Sequence, residues 1–329
     1  MSRPLSSRTT KPIIPAEPPV IEIVNLVKGF NGRNVLDGIN LTVYRGETLV
    51  IMGASGCGKS TLLRCLIGAH RPDDGTVKLF GKELWGLAPK ELDAVRRRLG
   101  ILFQSGALFS SMTVGENVAL PLKEHTDLSP EMIDLMVKVK LELVGLREAE
   151  HLLPAQISGG MAKRAGLARA IALDPELLFY DEPTSGLDPI MTGIIDGLIM
   201  DLARTMNVTS VVVTHDLKSA FRVADRMVVL NNGKVVTVGK PHEIRSCPDS
   251  FVRRFIQGPV EAKTAMFPKS AMDKGLDDVL DAEDAAQHVS RLREALAKAE
   301  SEGRAAEVLR LKKELSTLES VPSGEGRGG

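Results

Sequence analysis

The chain has 329 residues, and its 42 Lys+Arg balance 42 Asp+Glu, so the formal net charge is zero. That balance indicates no general electrostatic affinity for nucleic acid, and 43% hydrophobic with 26% charged residues is ordinary for a globular protein. No run approaches the ~18 apolar residues of a membrane span, so any membrane role is expected to pass through a partner.

Length predicts one large domain with an appendage. Cys57, Cys65 and Cys247 lack metal-ligand spacing and fit a reducing, cytoplasmic setting. Residues 1–19, rich in Pro, Ser, Thr and Arg, read as a disordered lead; Arg3, Arg8 and Lys11 precede no apolar run of signal type. From Val20 the pattern is strand-like. Val20–Val24 is followed by a turn at Gly29-Phe30-Asn31-Gly32, then Asn34–Leu36 and a further strand at Ile39–Val43. Phe30 is notable in a chain with 4% aromatics, and serves either as a strand-end core residue or as a surface for stacking a base.

Thr48–Met52 is an apolar run that leads into Gly53-Ala54-Ser55-Gly56-Cys57-Gly58-Lys59-Ser60-Thr61 and then Leu62–Ile67. Strand, glycine-rich loop and helix together fit G-x-x-x-x-G-K-[ST], the phosphate-binding loop. The glycines let backbone N–H groups turn inward around a phosphate, and a helix starting near Gly58 adds the positive end of its dipole. Lys59 is placed to reach the β- and γ-phosphates of a nucleoside triphosphate, and the Ser60 hydroxyl to ligate Mg²⁺.

Beyond this loop, Thr76–Gly81 reads as a short strand and turn, Ala88–Arg98 as a helix with Pro89 in its first turn, and Gly100–Gln104 as a buried strand. Met132, Leu135, Met136, Val139, Leu143 and Leu146 recur at helical spacing within an inserted helical subdomain of about residues 105–172. Ser158 is an N-cap for a helix over Ala162–Ala172, and Gly159-Gly160 at its start make a second potential anion site. Leu177–Tyr180 is a buried parallel strand that delivers Asp181-Glu182 to the sheet edge where ligands bind; two adjacent acids there favour a metal. A helix over Ile190–Met206 and a strand at Ser210–Thr214 follow, the latter ending in His215 at the same edge. Arg226–Leu230 and Lys234–Val236 flank the turn Asn231-Asn232-Gly233 as a hairpin, before an amphipathic helix over Asp249–Gln257. Residues 258–280 read as a linker or arm, 281–318 as a helical hairpin with apolar spacing broken at Gly303, and 319–329 as a disordered tail.

The order of these pieces resembles the ATP-binding cassette (ABC) ATPases of membrane transporters over about residues 20–245, within a domain of 20–257. Gly53–Ser60 matches the Walker A loop, Phe30 the adenine-stacking aromatic, Gln104 the Q-loop, and Leu177–Asp181 the Walker B strand with Glu182 after it. Ser185-Gly186-Leu187-Asp188 matches the D-loop and His215 the H-loop. The resemblance implies an α/β fold: a P-loop NTPase with a RecA-like parallel core, an antiparallel β subdomain and an inserted helical subdomain, here with a C-terminal helical extension. It implies ATP and Mg²⁺, the metal held by Ser60, Asp181 and Gln104. Glu182 would polarise the attacking water, with His215 contacting and positioning the γ-phosphate and Gln104 the third catalytic residue implied. It also implies a head-to-tail dimer with another copy of the chain, in which Ser158-Gly159-Gly160 and Asp188 close on the partner's ATP.

The signature reads Ile157-Ser158-Gly159-Gly160-Met161 where the family commonly has Gln in the last place, so amide hydrogen bonds are lost there while the Ser158 hydroxyl and glycine N–H groups remain. That string, with Leu108–Leu122 and Phe255–Val260, resembles the Mla-type subgroup. Such ATPases serve phospholipid trafficking with a permease and a "mammalian cell entry" (MCE) lipid-binding subunit, at the cytoplasmic face of the inner membrane. A small-solute importer is the other substrate class left open. A soluble ABC factor is disfavoured by the single cassette and the absence of basic excess.

Overall fold

The computed structural model describes residues 18–257; the readings of residues 1–17 and 258–329 lie outside the described residues. Its scaffold is a six-stranded sheet built on continuous apolar runs. β1 (Ile21–Phe30) and β2 (Arg33–Val43) form a hairpin, and β3 (Thr48–Gly53) runs into α1 (Lys59–Leu66). β4 (Asp74–Leu79), β5 (Lys82–Glu83) and α2 (Pro89–Arg96) lead to β6 (Leu99–Leu102). Three helices lie between β6 and β7 (Leu177–Asp181): α3 (Val114–His125), α4 (Pro130–Leu143) and α5 (Gly159–Ala170). Then come α6 (Pro189–Thr205), β8 (Thr209–Val213), α7 (Leu217–Val223), β9 (Arg226–Asn231), β10 (Lys234–Gly239), α8 (Pro241–Arg245) and α9 (Ser250–Gln257).

The large sheet has the order β10-β9-β3-β8-β7-β6, parallel except for the antiparallel edge strand β10. A second, antiparallel sheet has the order β2-β1-β4-β5. Alternation along the central strands sends side chains to two cores. Val50, Met52, Leu178, Tyr180 and Val212 join the helices α3–α7 on one face, while Leu49, Ile51, Phe179, Val211 and Val213 join α1 and the antiparallel sheet on the other. Because both faces are covered, β3 and β8 are buried along their whole length. Register pairs Ile51 with Val213 and Val213 with Asp181, so the loops after β3, β7 and β8 emerge together.

The sequence reading differs locally. Gly29 and Phe30 end β1 rather than forming a turn, which is confined to Asn31 (φ 51°) and Gly32 (φ 75°). The two strand pieces between Asn34 and Val43 are one strand, and the β1–β2 ladder absorbs the irregular residues as register shifts. The signature helix starts at Gly159, immediately after its Ser158 cap, rather than at Ala162. α7 and α8 were not anticipated.

Candidate functional site

The loop between β3 and α1 is held in shape by its own backbone and by Lys59. Lys59 is 8% exposed, and its ammonium donates to the carbonyls of Gly53 (2.8 Å) and Ala54 (3.1 Å). Gly58 caps α1 at φ 108°, and a Cβ there would stand 2.8 Å from the Val35 carbonyl and from Leu36, so only glycine fits. Cys57 is buried beneath the loop, where burial pushes its thiol pKa up, opposed by the Lys59 charge. It is an inert packing thiol, not a nucleophile.

A cavity of about 390 Å³ opens above this loop. Ser55, Gly56, Gly58, Lys59, Ser60 and Thr61 line one side, and Gln104, Glu182 and His215 face them. The sheet register therefore brings together the loop, the Q-loop residue and both candidate catalytic side chains. Glu182 has a left-handed backbone (φ 49°), uncommon for a residue with a long side chain, and its N–H donates to the Val213 carbonyl at 2.8 Å. Its Oε2 lies 2.8 Å from His215 Nδ1 and accepts from the Thr214 hydroxyl at 3.5 Å. The carboxylate is 13% exposed and the imidazole 64%, so the pair joins a sheltered carboxylate to an open histidine.

Asp181 is half-buried at the end of β7, and its Oδ1 has no hydrogen-bond partner among the described residues. Burial, then the Glu182 charge, push its pKa up, while Arg64 and Lys59 oppose this. An orphaned carboxylate oxygen with exposed Ser60 and Gln104 nearby is an oxygen-donor set suited to a hard divalent cation. A second cavity of about 450 Å³ is lined by Gln104, Asp181 and Ser185, and Gln104 Nε2 donates to Ser185 Oγ at 3.3 Å.

Other sequence-predicted residues stand apart from the cavity. Ser158 caps α5 by accepting from Met161 N–H at 3.2 Å; Ser158 and Gly159 are exposed, Gly160 buried. A Cβ on Gly160 would stand 2.5 Å from Met191 Cε, so that glycine allows α5 to approach α6 closely. Asp188 caps α6, accepting from Ile190 N–H (2.9 Å) and Met191 N–H (3.0 Å). Phe30 is 43% exposed at the end of β1, edge-on to His70 at 5.6 Å with Lys28 Nζ 5.4 Å from its ring. It is not a core residue. Met161 packs against the helical core rather than reaching for a hydrogen bond.

Sequence reasoning missed Lys163. It is buried on α5, and its ammonium donates to the carbonyls of Ser185 (2.5 Å), Pro183 (2.9 Å) and Glu182 (3.4 Å). Burial lowers its pKa and the Glu182 charge opposes that. The available signal was a lysine one turn inside a helix of Ala, Gly and Leu. Thr214, fully buried against Glu182, and the Ser185 hydroxyl were also missed.

The ABC transporter family model matches residues 36–185. The chain is 46% identical over 226 residues to the intermembrane phospholipid transport system ATP-binding protein MlaF of Escherichia coli (strain K12), covering 69% of this chain and 84% of that protein. The chain belongs to the ABC transporter ATP-binding proteins. MlaF of Haemophilus influenzae is 44% identical over 239 residues, covering 73% of this chain and 90% of that one. The solved dimer of the ATP-binding cassette MJ0796 in a post-hydrolysis state with ADP and Pi is 33% identical, with a TM-score of 0.62 over 67% of this chain and 98% of that one. ATP hydrolysis is thus this chain's reaction, and the resemblance to the Mla-type subgroup is borne out.

Proposed function

We propose that this ABC ATPase drives phospholipid movement through a membrane permease and an MCE-type lipid-binding subunit, from the cytoplasmic face of the inner membrane. The observation that carries the catalytic part is Glu182 paired with His215 at 2.8 Å across one cavity from the Lys59 loop. In this reading Glu182 orients and deprotonates the attacking water, and His215 steadies both Glu182 and the γ-phosphate. Lys59 exchanges its carbonyl contacts for phosphate oxygens, the loop N–H groups hold the β-phosphate, and Phe30 stacks the base. Ser60, Asp181 and Gln104 would hold Mg²⁺, which when bound offsets phosphate charge. Two copies would pair head to tail, with Ser158, Gly159, Gly160 and Asp188 of each completing the other's site.

The phospholipid assignment is supported by the names of relatives 44–46% identical over most of their length. Among the described residues no helix is long and apolar enough to cross a membrane, in keeping with a peripheral role. A cavity of about 480 Å³ beside the Q-loop, with exposed Phe103 and Phe109 and the guanidinium groups of Arg96, Arg97 and Arg169, supports docking of the permease's cytoplasmic segment there. The test is purification of the intact complex from membranes, followed by lipid analysis and ATPase assays with candidate substrates. Stoichiometric phospholipid and phospholipid-stimulated hydrolysis are expected; recovery with a small-solute receptor, without lipid stimulation, overturns the assignment.

A further inference from the structure

Lys163 is placed to do more than pack. Its ammonium has three N–H donors, and three main-chain carbonyls, all from the Glu182–Ser185 segment, surround it. Among the described residues no acidic side chain pairs with it directly; the buried charge is satisfied by backbone dipoles. The segment it holds starts with Glu182, whose left-handed backbone needs support from its surroundings, and ends at Ser185, whose hydroxyl accepts from Gln104. On its own helix Lys163 sits three residues beyond Gly160, roughly 4.5 Å along the axis at 1.5 Å per residue. The first turn of α5 also lies against α6, where Gly160 leaves room for the Met191 side chain. A displacement of the α5 N-terminus therefore moves the carbonyl cage that sets Glu182.

We infer that Lys163 is a positioning residue that couples the two ATP sites of the dimer, by tying the helix that meets the partner's ATP to the glutamate that serves its own. This rests on the head-to-tail reading given above. Closure of α5 on one nucleotide is relayed through a single ammonium to the Glu182 carboxylate at the other, and the coupling is reciprocal.

The test uses the full-length chain and ATP, with hydrolysis followed across ATP concentration for wild type, Lys163→Met, Lys163→Gln and Lys163→Arg. Wild type should show a sigmoidal dependence. In Lys163→Met the Hill coefficient should fall toward one and kcat by about tenfold to a hundredfold, as expected when a catalytic group is misplaced by an ångström or less. ATP affinity at the phosphate loop, measured by equilibrium binding, should stay within about twofold, because Lys163 bonds to the Glu182–Ser185 carbonyls and does not itself line the cavity above that loop. Lys163→Arg, with donors for the same carbonyls, should recover cooperativity. Lys163→Gln gives the same reading if the methionine variant does not fold, since it keeps two N–H donors without charge. Unchanged cooperativity in both neutral variants, or a lower kcat with the Hill coefficient intact, overturns the coupling role. Size-exclusion of Glu182→Gln with ATP separates the two failures. If that variant dimerises while Lys163→Met keeps cooperativity, only the link is wrong; if it stays monomeric, the head-to-tail reading falls and the coupling with it.

Discussion

Replacing Asn117 with leucine removes the side chain that orders the chain between Gln104 and α3. Asn117 is fully buried and accepts from Phe109 N–H at 2.8 Å. Its amide donates to the carbonyls of Phe109 (3.1 Å), Met112 (3.1 Å) and Thr113 (2.9 Å). Leucine matches asparagine in branching and number of side-chain heavy atoms, though its methyl groups are bulkier, so the loss is chiefly of hydrogen bonds. The two amide N–H groups are shared among three carbonyls and the oxygen accepts one N–H, so these contacts amount to about three full bonds, and at no more than ~1.5 kcal/mol each they set a ceiling of about 4.5 kcal/mol. Phe109 is 52% exposed, so some of the freed groups regain water and about 3 kcal/mol is the expected destabilisation. At about 2–4 °C per kcal/mol for a domain of this size, the unfolding midpoint should fall by roughly 6–12 °C. Hydrogen exchange should accelerate across residues 106–113 while the phosphate loop keeps its protection. Asn117→Asp, which retains the acceptor and faces Arg169 Nη1 at 3.5 Å, should fall between leucine and wild type. A loss below about 1 kcal/mol for the leucine variant would refute the reasoning, since it would mean that the loop is not organised by these bonds.

Glu182→Gln should lower kcat by about 10²–10⁴ with ATP binding retained, because a general base is lost and the phosphate contacts are not; phosphate release in single-turnover mode reads this, and turnover within tenfold of wild type would remove Glu182 from the mechanism. Lys59→Ala should weaken ATP binding by at least about tenfold, measured by calorimetry, since its charge is replaced by nothing; unaltered affinity would count against the loop. Glu176 lies under Arg98 (2.6 Å) and Arg45 (3.0 Å), and its pKa is lowered chiefly by the Arg98 hydrogen bond. A depressed carboxylate stabilises above the unfolded value near 4.5 and loses that stabilisation as pH falls through the folded value. Glu176→Gln should therefore be less stable than wild type at pH 7 by about 0.5–1 kcal/mol, discounted for exposure, and the gap should close in urea melts below about pH 4. A gap that widens on acidification would reverse the sign of the argument.

The phosphate loop was legible because its information is local: a buried strand, glycines and a lysine within a few residues. The same holds for Leu177–Asp181 and the strand before His215, whose continuous apolar runs follow from burial on both sheet faces. The Gly29–Gly32 stretch misled because a glycine near a strand end reads as a turn, whereas the β1–β2 ladder carries Gly29 as a paired residue opposite Asn34. The short helix α7 had a cap in Asp216, which accepts from the N–H groups of Lys218 and Ser219, but its seven residues gave too little periodicity. Lys163 was invisible for a different reason. Its partners are carbonyls twenty residues away, and main-chain acceptors leave no side-chain signature to match.

The proposed dimer answers two deficits that the single chain shows side by side. The cavity over Lys59 holds Glu182 and His215, yet the His215 side chain is 64% exposed, so that side of the site is open to solvent. Electrostatic stabilisation of a transferring phosphoryl group is strongest where water is excluded. Ser158 and Gly159 at the start of α5 are also exposed, and among the described residues their N–H groups have no acceptor. One half lacks a cover and the other lacks an anion. Placing the second over the first in a neighbouring copy removes both costs with a single contact, and only while a γ-phosphate is there to be shared. In that proposed arrangement hydrolysis would remove the reason for the contact, which is how the ATPase would move a membrane partner.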